Sequence, residues 1–268
     1  MIKNVLITGD CHGNVLQRLV NIQQTMTEYD PSETAIIILG DVGFNYYKNK
    51  KDWKLKYHAA QFGYTLYCLR GNHEDRANNV KGTEIVYDKF VHGYVFEEKE
   101  FPNIKYFSDE VQEYNIMGKE ILCIPGAYSV DKWHRLQHDW QWFAQEQLTE
   151  EEMQYAEEEF GGKYYDFVFS HTAPMDWEPN DLFLHGIDQS KVDKTMEIWL
   201  SKFKDMILWK CWCFGHYHAD RLERPYVEQF YIEVEDLDSV WNRWQKYDQT
   251  KELDWWLPKS PNFYMEVE

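Results

Sequence analysis

The sequence predicts an α/β protein, and three observations carry that prediction. Short apolar runs rich in β-branched and aromatic residues alternate with segments whose apolar residues recur at helical spacing. Five of those runs end in Asp, Asn or His, and ligand sites in sheets with helical crossovers gather at the carboxyl ends of strands. Hydrophobic residues make up 44% and aromatics 17% of the 268 residues, enough for a sizeable packed core. No internal repeat, low-complexity tract or linker interrupts the chain. It is therefore read as one domain over 1–268, with 219–268 a C-terminal strand and an aromatic-rich extension packed on it.

The first strand spans 2–8 and runs into Gly9-Asp10-Cys11-His12-Gly13-Asn14, with no small-residue cleavage site of a signal peptide. Asp10 and His12, one residue apart, can face one metal from a single turn. A helix follows, with Val15, Leu16, Leu19, Val20 and Ile22 as its apolar face. The run at 35–39, typical of a strand covered on both faces, ends in Gly40-Asp41-Val42-Gly43. Five lysines between Lys48 and Lys56 suggest either a solvated helix face or a strip for nucleic acid, the former being simpler. The strand at 64–69 leads into Arg70-Gly71-Asn72-His73-Glu74, where Gly71 supplies a tight turn. Residues 77–120 carry mixed charged and aromatic positions with few sharp signals, and are expected to form strands and connections.

A strand at 121–124 precedes Gly126-Ala-Tyr-Ser-Val-Asp-Lys132 and Arg135. Thr149 with Glu152 forms a capping box for a helix through about Phe160, stopped by Gly161-Gly162. The strand at 165–169 leads into Ser170-His171-Thr172-Ala173-Pro174. Ser190 with Asp193 is expected to open another helix, with Val192, Met196, Trp199, Leu200 and Phe203 on one face. The strand at 207–214 ends in Gly215-His216-Tyr217-His218. One more strand is expected at Val227 to Val234, followed by Trp241, Trp244, Trp255 and Trp256, which pack on the domain or offer a partner surface.

Composition narrows the function classes. A net charge of −18 argues against general nucleic-acid adhesion, which needs basic surface. The seven glutamates between Glu146 and Glu159 place much of that charge on a helix, which weakens the argument. No apolar run approaches the roughly 20 residues of a membrane span. The five cysteines form no C-x-x-C pair and read as buried reduced thiols, as in a cytoplasmic protein.

Asp10, His12, Asp41, Asn72, His171, His216 and His218 are two carboxylates, one amide and four imidazoles, too many for one four-coordinate ion. Shared between two ions with one carboxylate bridging, they give each about four ligands, an arrangement suited to phosphoryl transfer. A nitrogen and oxygen set without thiolates suits Mn, Fe, Zn or Ni.

The series Gly-Asp-x-His, Gly-Asp-x-x-Gly, Gly-Asn-His-Glu, a later His and Gly-His-x-His resembles the calcineurin-like metallophosphoesterases, in that family's order, over residues 5–218. The Gly126–Lys132 and Ser170–Pro174 stretches look closer still to a bacterial and phage branch. The resemblance implies a four-layer αββα sandwich of two mixed sheets flanked by helices, with a dinuclear site at one edge. It implies that Asp10, His12 and His218 hold one divalent ion and Asn72, His171 and His216 a second, with Asp41 bridging. Manganese is the first expectation. It further implies a hydroxide activated by the two ions, with His73 protonating the leaving alkoxide, a role matched by an ordinary imidazole pKa near ~6.5. Arg70 resembles the phosphate-clamping arginine of the serine/threonine phosphatases.

The chain departs from those phosphatases where an Asp-Arg pair should follow the second motif. Phe44 and Asn45 stand there, which leaves His73 without its usual orienting carboxylate and counts against protein phosphatase activity. Glu74 is the nearest substitute. Lys132 and Arg135 read more simply as non-contacting residues than as phosphate ligands, and His58, His92, His134, His138 and His185 as non-catalytic. Tyr217 is expected to pack between ligands.

The function expected is hydrolysis of a phosphate ester on a phosphorylated small molecule or nucleotide. A phosphodiesterase or nuclease acting on nucleotides or nucleic-acid ends is the alternative, with nucleic acid not favoured. A non-catalytic scaffold for protein binding is the rival from another class.

Overall fold

Seven strands and six strands form two sheets that face each other across the largest apolar cluster of the molecule. The structure is a computed structural model and describes residues 1–183 and 186–250. In chain order the elements are β1 (Asn4–Thr8), α1 (Val15–Thr25), β2 (Thr34–Ile38), α2 (Lys50–Ala60), β3 (Thr65–Cys68), β4 (Thr83–Asp88), β5 (Gly93–Glu98), β6 (Ile104–Tyr106), β7 (Gln112–Ile116) and β8 (Lys119–Ile124). They continue with α3 (Lys132–Gln137), α4 (Glu150–Phe160), β9 (Tyr164–Ser170), α5 (Thr195–Phe203), β10 (Leu208–Phe214), β11 (Arg221–Arg224), β12 (Val227–Gln229), β13 (Val234–Asp236) and α6 (Leu237–Thr250).

The first sheet runs β13-β1-β2-β3-β6-β5-β4 and the second β11-β12-β10-β9-β8-β7. Both are mixed. The pairs β1–β2, β2–β3 and β3–β6 are parallel, as are β8–β9, β9–β10 and β10–β12, while antiparallel pairs close the edges. Side chains alternate across each strand, so Val5, Ile7, Ile37 and Tyr67 face Phe167, Phe169, Cys211 and Cys213 between the sheets. Leu6, Ile36, Ile38 and Leu66 turn outward under α1 and α2. On the other side, Leu122, Val168, Trp212 and Phe214 pack under α4 and α5 through Met153, Phe160, Met196 and Phe203. The result is the αββα layering that the sequence motifs imply.

Local chemistry sets the element ends. Thr149 and Glu152 form the capping box expected for α4. The helix expected from Ser190 starts later, because Asp188 accepts the Ser190 amide in a separate short turn. The Asp193 carboxylate accepts the Thr195 amide, and α5 begins there, leaving Val192 outside it. The strand expected at 227–234 is broken into β12 in one sheet and β13 in the other. Buried Asp220 captures the amides of Tyr231, Ile232 and Glu233 at 2.7, 3.1 and 3.0 Å, which turns the chain between the sheets.

All five cysteines are buried. Of the lysines at 48–56, Lys56 is buried between Asn45 and Glu98 and Lys48 pairs with Asp75, so the strip is only partly a solvated face. Trp244 is fully buried and Trp241 packs on the same inter-sheet cluster, while Trp255, Trp256 and His185 lie outside the described residues. No helix among the described residues is long and apolar enough to cross a membrane.

Candidate metal centre

The carboxyl ends of β1, β2 and β3 in one sheet meet those of β9 and β10 in the other. Three hydrogen bonds lock that edge together. The His216 amide donates to Asp10 Oδ1 at 2.9 Å, His171 Nδ1 donates to the Leu39 carbonyl at 2.7 Å, and the Gly126 amide donates to the Arg70 carbonyl at 2.9 Å. Close approach is what the motif glycines permit. A Cβ on Gly40, whose φ is +99°, would sit 2.0 Å from His171 Nδ1. One on Gly215 would sit 2.3 Å from Asp10 Oδ1.

Three groups of donors converge at this edge: Asp10, His12 and His218; Asp10, Asp41 and His171; and His12, Asp41 and His73. Within each group the ligand atoms lie within 4.8 Å of one another. Asp10 Oδ2 is 3.5 Å from both His12 Nε2 and His218 Nε2. Asp41 Oδ2 is 3.5 Å from His171 Nε2 and 3.8 Å from His12 Nδ1. Asn72 Oδ1 is 2.9 Å from His171 Nε2. His216 packs its ring on His171 with centroids 5.1 Å apart. His12, Asp41, His216 and His218 all adopt positive φ, a conformation that costs of order 1–3 kcal/mol each and clusters at functional sites.

The electrostatics match the geometry. Burial alone would raise the Asp10 carboxyl, but the His171, His12 and His218 imidazoles hold it well below the usual carboxylate range. Burial likewise opposes charge on His171, and the Asp41 and Asp10 carboxylates outweigh it, lifting that imidazole to about 9. His216 is pushed down to about 3 by burial and by His171. The two carboxylates therefore draw positive charge onto His171, while His216 beside it is held neutral.

His73 stands at the mouth, its amide on Asp41 Oδ1 at 2.9 Å and its ring 5.1 Å from that of His12. Burial, with His12 and Arg135 adding, lowers its imidazole to about 4, so it is not the unperturbed group expected. Glu74 does not orient it. The Glu74 carboxylate accepts the Gly43 and Gly71 amides at 2.9 and 3.3 Å and braces the two loops instead. The carboxylate nearest the ring is that of Asp131, with Oδ1 3.9 Å from His73 Nε2.

The phosphate-clamping role expected of Arg70 does not survive its surroundings. Its guanidinium is buried and donates to the Glu146, Gln145 and Asp109 carbonyls at 2.8, 3.3 and 3.3 Å, which ties the loop after Phe143 to the Asn72 turn. Tyr217 packs on the His216 ring and shares a hydrogen bond with the Thr172 hydroxyl, as its position between ligands suggested.

The profile of the calcineurin-like phosphoesterases matches residues 3–220, most of the chain. The chain belongs to the calcineurin-like phosphoesterases. It resembles the solved structure of a phosphopantetheinyl hydrolase from Mycobacterium tuberculosis, at 12% identity over 94% of each chain with a TM-score of 0.42. It also resembles a protein of unknown function from Aquifex aeolicus, at 12% identity over 63% of this chain and 80% of that one, with a TM-score of 0.29. No curated protein sequence matches it.

Members of this family typically bind divalent metals, and this phosphoesterase carries residues that fit them. Asp10 Oδ2 is buried without a hydrogen-bond donor. His171 spends its Nδ1 hydrogen on a carbonyl and so turns Nε2 toward two acceptor oxygens, on Asn72 and Asp41. Without a metal the second hydrogen of the His171 imidazolium satisfies those oxygens; a divalent ion would take that hydrogen's place, and the carbonyl-held imidazole is the usual orientation of a metal ligand.

Two residues at the site had no role assigned from the sequence, Ser129, which lies within the Gly126–Lys132 stretch, and Glu146. Asn72 Nδ2 donates to Ser129 Oγ at 2.9 Å, and Ser129 Oγ donates to Glu146 Oε2 at 2.6 Å. Glu146, expected on a helix with the other glutamates of 146–159, lies ahead of α4 and is buried.

Proposed function

We propose that this phosphoesterase hydrolyses phosphate esters through two divalent ions. Asp10, His12 and His218 would hold one, Asn72, His171 and His216 the other, and Asp41 would bridge them. Bound there, such ions polarise a phosphoryl group and lower the pKa of water at neutral pH, and Mn is the ion we favour. The observation that carries the reading is the convergence of ligand atoms from four strand ends, Asp10 Oδ2, Asp41 Oδ2, Asn72 Oδ1 and His171 Nε2, of which Asp10 Oδ2 is buried with no hydrogen-bond partner.

The rest is done by the chain's own residues. The Asp10 and Asp41 loops, linked by the Cys11 and His12 amides on the Asp41 carbonyl at 3.0 and 2.7 Å, keep the carboxylates in register. His73, seated on Asp41 through its backbone, stands where a leaving group would depart and supplies a proton or an N–H hydrogen bond to that oxygen. The Asp131 carboxylate, 3.9 Å from His73 Nε2, would orient that ring in place of the aspartate missing after the Asp41 motif.

Turnover of p-nitrophenyl phosphate and bis-p-nitrophenyl phosphate with added Mn²⁺ tests the reading. We expect Mn-dependent hydrolysis of at least one ester, and the ratio of the two rates reports monoester against diester preference. No turnover of either by metal-loaded protein would sink it. His73→Asn should lower kcat roughly 10²- to 10⁴-fold, the range for loss of a positioned acid or base. Full activity in that variant removes only the role given to His73.

A further inference from the structure

Helix α3 brings a charge to the mouth of the site from 62 residues along the chain. Arg135 Nη2 lies 2.6 Å from His73 Nδ1 and 3.2 Å from Nε2. The rest of the guanidinium is pinned. Nε donates to Asp131 Oδ2 at 2.7 Å, and Nη1 donates to the Tyr46 hydroxyl at 3.1 Å and the Gln141 carbonyl at 3.3 Å. Nη2 has two hydrogens, and among the described residues its only partner is one imidazole edge. A guanidinium cannot accept, so it holds His73 by its lone pair, a weak use of a charged fork.

The other cations near the mouth are spent. Arg70 is enclosed by backbone carbonyls, Lys48 is paired with Asp75, and Arg18 donates to the Asp10 and Tyr231 carbonyls. The Lys132 ammonium lies 4.1 Å from the centre of the Trp142 ring and 5.6 Å from that of Trp133. With the two proposed ions offsetting the Asp10 and Asp41 carboxylates, a phosphate monoester still presents non-bridging oxygens that a guanidinium fork beside the ions can hold and orient.

We propose that Arg135 is the residue of this chain that recognises the phosphoryl group, exchanging its Nη2 contact on His73 for a non-bridging oxygen of the substrate. Asp131 and Tyr46 are its positioning residues, since they fix the plane of the fork before substrate arrives. The proposal rests on the phosphoester reading given above. It makes Arg135 do what Arg70 cannot.

Calorimetric titration of the Mn-loaded protein with inorganic phosphate tests it, alongside p-nitrophenyl phosphate kinetics. In Arg135→Gln the phosphate Kd and the KM should both rise roughly ten- to a hundredfold, the loss of one charge-assisted interaction. Arg135→Lys, which keeps the charge without the fork, should fall between. Far-ultraviolet circular dichroism and thermal melts show whether each variant is folded, and Arg135→Lys serves if Arg135→Gln is not.

A folded Arg135→Gln that binds phosphate as the parent does, with only its melting midpoint lowered, overturns the proposal. So does a parent that binds no phosphate. If phosphate binds in an Arg135-dependent way but no ester is turned over, the proposal stands and the hydrolysis reading falls.

Discussion

Ser129 accepts a hydrogen bond from Asn72 Nδ2 at 2.9 Å and passes its own hydrogen to Glu146 Oε2 at 2.6 Å. That chain decides which way the Asn72 amide faces. With Nδ2 committed to Ser129, Oδ1 must point at His171 Nε2, into the proposed second ion's place. Ser129→Ala frees the amide to rotate and leaves Glu146 short of a donor. We predict that Mn²⁺ affinity at one of two sites falls roughly 10- to 100-fold, as outer-shell partners of metal ligands do. Calorimetry on the two proteins reads this. Identical two-site isotherms would mean that Asn72 is held without Ser129.

Gly40 gives a prediction about the fold of the site rather than its chemistry. Its φ of +99° suits glycine, and a Cβ would lie 2.0 Å from His171 Nδ1, a ring that is itself fixed on the Leu39 carbonyl. No flexible side-chain end is available to yield. Gly40→Ala should destabilise the protein by about 3 kcal/mol or more, strain and clash together. Urea melts measure it, and a loss under about 1 kcal/mol would show that the Asp41 loop moves more easily than its contacts imply.

Buried Glu197 sets a pH dependence of stability. It lies on α5, its Oε1 takes a hydrogen bond from the Thr172 hydroxyl at 2.8 Å, and Oε2 is buried without a donor. Burial first, and Glu178 after it, push its carboxyl up to about 7 from an ordinary 4.5. A raised acid pKa means the folded state holds the proton that the unfolded state has already released. Stability from this group is therefore full below about pH 4.5 and declines as pH rises toward 7, by roughly 3 kcal/mol at ~1.4 kcal/mol per tenfold. Glu197→Gln should flatten that decline and be the more stable protein at pH 8. Denaturant melts at several pH values test this, and parallel curves for the two proteins would contradict it.

Much of the site was legible because its signals are local. Asp10, Asp41, Asn72 and His216 each follow a glycine at a strand end, and His171 follows β9 directly, so pattern and chemistry coincide within a few residues. The alternation of strands and helices pointed to an α/β protein, and the αββα layering came from the family resemblance that those motifs carry. What the pattern missed depends on contacts across long stretches of chain. Arg135 reaches His73 over 62 residues and Ser129 reaches Asn72 over 57, and nothing local announces either pairing.

The misplaced elements have a similar cause. Asp220 captures three amides about a dozen residues on and splits an expected strand, while Asp188 and Asp193 divide an expected helix start. Arg70 misled for the opposite reason, being next to a true motif while its side chain turns into the carbonyls of another loop. Residues 77–120, expected to form strands and connections but with few sharp signals, hold four strands. One of their hairpins turns on Met117 and Gly118, both at positive φ, where methionine is an unexpected occupant.

The central claim is a phosphoesterase site that works through two bound ions. Its most direct test is Mn²⁺ counted per chain after chelator stripping and stepwise reloading, with p-nitrophenyl ester hydrolysis followed in parallel. We predict about two ions per chain, activity that returns only as the second ion binds, and loss of both in Asp41→Asn. Hydrolysis by the stripped protein, or unchanged metal content in Asp41→Asn, would contradict it.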